Sequence, residues 1–209
     1  GLTNVAQIGK GSTTMGCLRE KSGLVKCWGA NTYGAMGDGD TSSTAATQDM
    51  RLPGITDATD LRQGSWFSIA LLKNGSVACW GWGSHKQCGS LGSGSTSPPV
   101  LVEGITNAVK CRAGNRHSCC LLNDGTFKCW GEGDHGQLGY GVSFDRDTPI
   151  SPTLNSKVVD FDVSSDTTCA VLDTGRVYCF GDCNSNNCGS GGDGDQQSPV
   201  FTGMENGVS

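Results

Sequence analysis

The chain has 209 residues, a formal charge of −5, 33 glycines, twelve cysteines and only 35% hydrophobic residues. That length suits one mid-sized domain or two small ones, and the evenly spread glycine excludes a helical bundle and a flexible tail alike, leaving an all-β chain of short strands and tight turns. The acidic balance, with no cluster of Lys and Arg, argues against nucleic-acid binding, and no apolar run is long enough for a membrane-spanning helix.

In chain order, the opening "GLTNVAQIG", residues 1–9, begins without Met, so a removed or unobserved upstream segment is expected. The phrase returns as "GITDATDLRQG" at 54–64 and "GITNAVKCRAG" at 104–114. These three copies lead to hairpins ending in Cys27-Trp28-Gly29, Cys79-Trp80-Gly81 and Cys129-Trp130-Gly131, and a fourth hairpin ends in Cys179-Phe180-Gly181, at steps of 52, 50 and 50 residues. Repeats of this period mean propeller blades or solenoid units. Four units follow, about 1–53, 54–103, 104–155 and 156–202, making one repeat domain over 1–209 in which 203–209 starts a further repeat.

The hairpins are symmetric about Ser22, Asn74, Asp124 and Thr174, each followed by glycine (Gly23, Gly75, Gly125, Gly175). A three-residue loop closed by a left-handed residue explains those glycines. In that register Cys119 faces Cys129, Cys17 faces Cys27 and Cys169 faces Cys179, while Ile69 faces Cys79 and breaks the rung. Facing residues of an antiparallel pair lie within disulfide reach. Zinc wants four converging ligands, commonly with a C-x₂-C pair, and none occurs here. The expectation is therefore cross-strand bridges and an oxidising, extracellular compartment. Cys183 and Cys188 share one loop and are expected to bridge locally. Cys79, Cys88, Cys111 and Cys120 allow three pairings, among which the sequence does not choose. A bridge from Cys88 to Cys111 or Cys120 would tie two units together.

The string "RAGNRHSCCLLNDGTFKCWGEGDHGQLGYG" resembles a repeat of the regulator of chromosome condensation family, through Ala113, Gly114, His117, Ser118, Leu121, Asp124, Gly125, Trp130, Gly131, Gly136, Gln137, Leu138, Gly139 and Gly141. The likeness covers all four units and weakens in the fourth, where Phe180 replaces Trp and a Cys loop replaces Gly-Gln-Leu-Gly. It implies β-propeller blades of four strands. The family includes a nuclear nucleotide-exchange factor, receptor ectodomains and a secreted inhibitor; cysteine staples and a plain acidic surface point to the extracellular members. Four blades are few for a closed ring. An open arc, a share of a larger ring, or an oligomeric ring or filament is expected, with unpaired blade faces as templates for association.

The search for chemistry is short. His117 reads as a structural blade histidine hydrogen-bonded to backbone, and the aromatic series Trp28, Trp80, Trp130 and Phe180 reads as blade core. His85 and His135 occupy equivalent loop positions, aligned with Tyr33 and Ser185, without a shared carboxylate set for a metal. The "GDGD" and "GGDGD" loops read as turns, and the "GKGST" run at 9–13 lacks the spacing of a phosphate loop. No catalytic set, metal or cofactor is expected. Three aromatics stand where other units have different residue types: Trp66 and Phe67 at the positions of Arg116 and His117, and Trp82 beside Trp80-Gly81. They are the candidate contact surface for protein or sugar. Asn74-Gly75-Ser76 is a glycosylation sequon at a hairpin tip. The function expected is a non-catalytic extracellular scaffold that associates with itself or belongs to a larger surface protein; the alternative is a recognition module, such as a lectin, receptor ectodomain or inhibitor.

Overall fold

The computed structural model describes residues 4–9, 15–42, 46–89, 94–189 and 193–204, with 46–50 as backbone only. Most of the 9–13 run, part of the 191–195 loop and nearly all of the fifth-repeat start lie outside them. Among the described residues sixteen strands form four separate antiparallel sheets of four, each in simple up-and-down order. Blade I holds β1 (Val5–Ile8), β2 (Met15–Glu20), β3 (Val25–Gly29) and β4 (Ala46–Arg51). Blade II holds β5 (Ala58–Gln63), β6 (Phe67–Leu72), β7 (Val77–Trp82) and β8 (Ser95–Leu101). Blade III holds β9 (Ala108–Ala113), β10 (His117–Leu122), β11 (Phe127–Gly131) and β12 (Arg146–Ile150). Blade IV holds β13 (Val158–Val163), β14 (Thr167–Leu172), β15 (Val177–Gly181) and β16 (Gln196–Phe201). Among the described residues no sheet closes on itself, and the four blades fit an open arc or part of a ring. First strands of successive blades lie side by side, β1 by β5, β5 by β9 and β9 by β13.

The central hairpin of each blade explains its own register. In blade III the Leu122 N–H donates to Thr126 O (2.8 Å), the Gly125 N–H donates back to Leu122 O (3.1 Å), and the Asp124 carboxylate accepts from the Thr126 N–H (2.9 Å). The turn glycines Gly23, Gly75, Gly125 and Gly175 have φ of +92°, +82°, +86° and +80°, where a Cβ is costly. Counting back from this turn brings Cys119 opposite Cys129, Cys17 opposite Cys27 and Cys169 opposite Cys179. Each of these pairs is bonded across a Cα–Cα distance of 4.1 Å.

Cys183 bonds Cys188 within its loop, and the four cysteines left open resolve as Cys79–Cys88 and Cys111–Cys120. Both pairs stay inside one blade, so the bridge from Cys88 to the next unit does not form. Cys111 and Cys120 face each other directly across β9 and β10. Consecutive Cys119 and Cys120 point to opposite faces of the sheet, as strand alternation requires. One staples β10 to β11, the other to β9. Cys88 still sits in the apolar cluster of the next blade, beside Trp130 and Cys111, although its bond runs back to Cys79.

Blades are joined by a repeated backbone lock. The first residue of each first strand donates to the preceding turn glycine: Ala58 to Gly23 O (3.0 Å), Ala108 to Gly75 O (2.9 Å) and Val158 to Gly125 O (3.1 Å). The approach is close enough that a Cβ on Gly75 would lie 2.7 Å from Asn107 Cα. Gly75→Ala is therefore expected to cost about 2–4 kcal/mol, combining left-handed strain with a displaced blade joint. Gly54→Ala, at φ +77° with open space around the new Cβ, is expected to cost only about 1–2 kcal/mol. Urea titration of the two variants checks this; equal costs would mean that the close approach contributes nothing.

Candidate functional site

The loop joining the third and fourth strands of blades I, II and III reaches over the next blade. A Cβ on Gly37 would lie 2.8 Å from the Trp80 ring, and one on Gly139 would lie 2.7 Å from the Phe180 ring. The Trp130 indole N–H donates to Gln87 O of the preceding loop (2.9 Å). Met36, Cys88 and Leu138 descend from these loops into the same apolar clusters as Trp80, Trp130 and Phe180, all three of which are 0% exposed. Trp28 departs from the expected core series. It is 37% exposed, because no preceding loop lies over blade I among the described residues.

Side-chain joints follow the same order. His117 is fully buried, and its Nε2 lies 2.9 Å from Thr168 Oγ1 of blade IV. That hydroxyl donates to Gln137 O (2.9 Å), so the Nε2–H of the imidazole donates to Thr168. The expected direct bond from His117 to backbone is thus routed through a threonine of the next blade. Burial pushes the His117 pKa down to about 4, against an opposing pull from Asp166. His85 lies 3.3 Å from Glu132 and 3.4 Å from Asp145 of blade III, and His135 lies 3.0 Å from Asp195 of blade IV. These two loop histidines are blade-to-blade contacts. Along the first strands, Gln7 donates to Asp60 (2.6 Å), Arg112 lies between Asp60 and Asp162, and Lys110 pairs with Asp160.

The aromatic candidates divide. Phe67 is completely buried in the blade II core and is no surface residue. It occupies the His117 position, whose side chain points inward, and its ring fills the space beside Gly64. Trp66 and Trp82 are half-buried and share a notch of about 310 Å³ at the seam of blades I, II and III. Tyr33 completes it from the blade I loop, stacked on Trp82 (centroids 5.4 Å apart, 26° between planes) and edge-on to Trp66 (6.1 Å, 86°). The Arg116 guanidinium lies 5.3 Å from the Trp82 ring centre and pairs with the buried Glu132 at 2.9 Å. Glu132 also accepts from Gln137 (3.3 Å).

Tyr33 and Arg116 were not singled out as contact residues in the sequence. The available signal was the alignment of Tyr33 with His85 and of Arg116 with Trp66. Adding the rule that each such loop overhangs the next blade would have placed Tyr33 beside Trp82. Asn74 is exposed at its hairpin tip, with its side-chain oxygen accepting from the Ser76 N–H (2.9 Å).

The geometry defines a repeat protein built of propeller blades, each completed by its predecessor. The profile of the regulator of chromosome condensation (RCC1) repeat matches residues 59–87, 109–137 and 158–190 in one form, and 74–121 and 124–171 in another. The chain belongs to this family. Yeast RCC1 (Prp20), solved bound to Kap60, has a similar fold with a TM-score of 0.81 and 20% identity, over 96% of this chain and 49% of that one. Human WBSCR16 superimposes with a TM-score of 0.80 and 18% identity, over 96% and 53% respectively. The receptor-kinase CR4 ectodomain of Physcomitrella patens follows with a TM-score of 0.53 and 21% identity, over 85% and 40%. The chain thus spans about half the length of these solved proteins.

The His117 joint predicts a pH dependence. Its folded pKa of about 4 lies below the ordinary 6.5, so between those values the unfolded chain binds the extra proton. Its stabilising share is complete above pH 6.5 and is lost as pH falls toward 4, by about 3 kcal/mol at roughly 1.4 kcal/mol per pH unit. Urea midpoints of the wild type and His117→Phe between pH 7 and 4 check this. The variant is expected to be flatter with pH, and parallel profiles would remove His117 as the cause.

Proposed function

We propose that this chain is a non-catalytic, extracellular interaction scaffold whose blade arc is completed by further blades, supplied by a second copy of itself or by a larger surface protein. The observation that carries the reading is Trp28. Its equivalents Trp80, Trp130 and Phe180 are 0% exposed under a neighbouring loop, while Trp28 stands 37% open. A large exposed aromatic at a position built to be covered marks an interaction surface. In blade IV Asp160 and Asp162 pair with Lys110 and Arg112 yet keep side chains 62% and 79% exposed, so that in this reading they have room for a further rung of the first-strand ladder.

The extracellular part of the reading is supported by six disulfides with no free thiol among the described residues, a pattern of oxidising compartments. The similarity to a receptor-kinase ectodomain points the same way. The non-catalytic part is supported by the histidines, all three of which serve blade joints. In this reading Asn74 carries an N-linked glycan in a eukaryotic host, since its side-chain oxygen serves the turn and its amide nitrogen, at an exposed tip, has no hydrogen-bond partner among the described residues.

Sedimentation of the purified chain across concentration tests association. Species above the 21.6 kDa monomer are expected, and Trp28→Ser is expected to disperse them without lowering monomer stability. Trp130→Ser, buried in every state, is expected to cost about 3–5 kcal/mol. A monomer at all concentrations would remove self-association and leave the cover of Trp28 to a longer polypeptide. Non-reducing peptide mapping should recover Cys119 joined to Cys129 and Cys111 joined to Cys120; free thiols there would overturn the compartment argument.

A further inference from the structure

The notch at the seam of blades I, II and III points to a binding site that the scaffold role does not require. Its rings form a corner: Tyr33, 43% exposed, meets Trp66 at 86° and stacks on Trp82. Tyr33 (φ +62°) and Trp66 (φ +93°) are held in left-handed backbone that side-chain-bearing residues seldom adopt. At Tyr33 the conformation belongs to the repeat loop, since Ser185 at the same place in blade IV has φ +57°; at Trp66 it does not, since Arg116 and Asp166 lack it, and backbone strain confined to one copy marks a candidate functional position. The other blades place Arg116 and Asp166 at the position of Trp66, and Ser185 in blade IV at that of Tyr33. The corner is therefore particular to this seam and not a feature of the repeat.

The polar lining narrows the ligand. The hydroxyls of Thr32 and Ser65 and the carboxamide of Asn115 line the notch and form no hydrogen bond with any described residue. They are neutral donors and acceptors, and the Tyr33 hydroxyl and the Trp66 and Trp82 indole N–H groups of the same lining are likewise uncharged and without a hydrogen-bond partner among the described residues. The one charge in the lining is already matched: Arg116 pairs with Glu132 at 2.9 Å, and Glu132 also faces His85. A phosphate or a carboxylate would compete with Glu132 for the guanidinium, and an ammonium would find no unpaired anion in the lining. What remains is an uncharged molecule with hydroxyls around an apolar ring face. A volume of about 310 Å³ lies at the small end of ligand sites, fitting one or two sugar rings.

We propose that Tyr33, Trp66, Trp82, Thr32, Ser65 and Asn115 form a binding site for a neutral pyranose sugar. The C–H face of the sugar lies against the aromatic corner and its hydroxyls bond Asn115, Thr32 and Ser65. Arg116, held by Glu132, keeps the Trp82 ring in place and is a positioning residue.

The test uses the purified 209-residue chain, titrated by tryptophan fluorescence and calorimetry with lactose, maltose and N,N′-diacetylchitobiose. At least one is expected to bind with Kd of about 1 mM or tighter. Tyr33→Ala and Asn115→Ala are each expected to weaken it by about tenfold or more, with melting temperatures close to wild type because both side chains are partly open to solvent. His135→Ala, two loops further along the arc, is expected to bind as wild type does. The proposal fails if none of the three sugars binds. It fails also if binding survives both substitutions, or if a proline-rich peptide binds in the notch while the sugars do not. Trp28→Ser separates this site from the association surface: unchanged sugar binding by that variant is expected, and loss of binding would place the sugar at the arc end instead.

Discussion

Every blade in this arc except the first is finished by the one before it. The sheet brings its own hairpin and staples, but the aromatic ring at the end of its third strand is sealed only when the preceding loop lies over it. The backbone lock at the turn glycine, the loop carbonyl on the Trp130 indole and the His117–Thr168 contact all operate across the same boundary. Because the contact is directional, head to tail, it has no internal end. Such a contact closes into a ring or continues, and Trp28 is the one ring of the series that no preceding loop covers among the described residues.

Side chains at equivalent positions turn the shared joint to different uses. Tyr33, His85 and His135 sit at one place in successive loops and all reach the next blade: Tyr33 stacks on Trp82, His85 meets Glu132 and Asp145, and His135 meets Asp195. The polar contacts here are partly exposed, and pairs of that kind contribute about 1 kcal/mol or less each. Their identity is therefore cheap to vary, while the buried ring beneath them is not. That division lets a repeat keep its fold and differ at one seam, which is where the aromatic corner lies.

Much of the fold was legible in the residues because its signals are local. A glycine fixed by left-handed geometry sets the turn, the turn sets the register, and the register brings Cys119 opposite Cys129; no information from another blade is needed. The parts that were not legible all depend on what a neighbour does. Trp28 and Trp80 have the same local sequence context, Cys-Trp-Gly, and differ only in whether a loop covers them. Phe67 sits at the position of His117, whose burial is decided by the adjacent blade. The partner of Cys88 could not be read because its loop lies against two blades at once, its own through Cys79 and the next through Trp130. The notch was half visible for the same reason: Trp66 and Trp82 belong to one unit, but Tyr33 and Arg116 come from the units on either side.

The disulfides make sense in these terms. Their spans are short, five to ten residues, so each contributes about 2–3 kcal/mol by restricting the unfolded chain. Each acts within a single blade, whether or not a neighbour is present. Blade IV shows where this matters most. Its outward loop has no following ring to pack beneath among the described residues, and Cys188, the counterpart of Leu138, bonds Cys183 instead. The buried members of the cluster on that side are Cys179, Cys183 and Cys188, backed by Cys169, Val177 and Val200. Covalent bonds hold that side of blade IV, where Met36, Cys88 and Leu138 of the other loops pack against a neighbouring ring. Blade IV stapled in this way keeps its shape through bonds within its own chain, so that its folding does not depend on a contact from outside it.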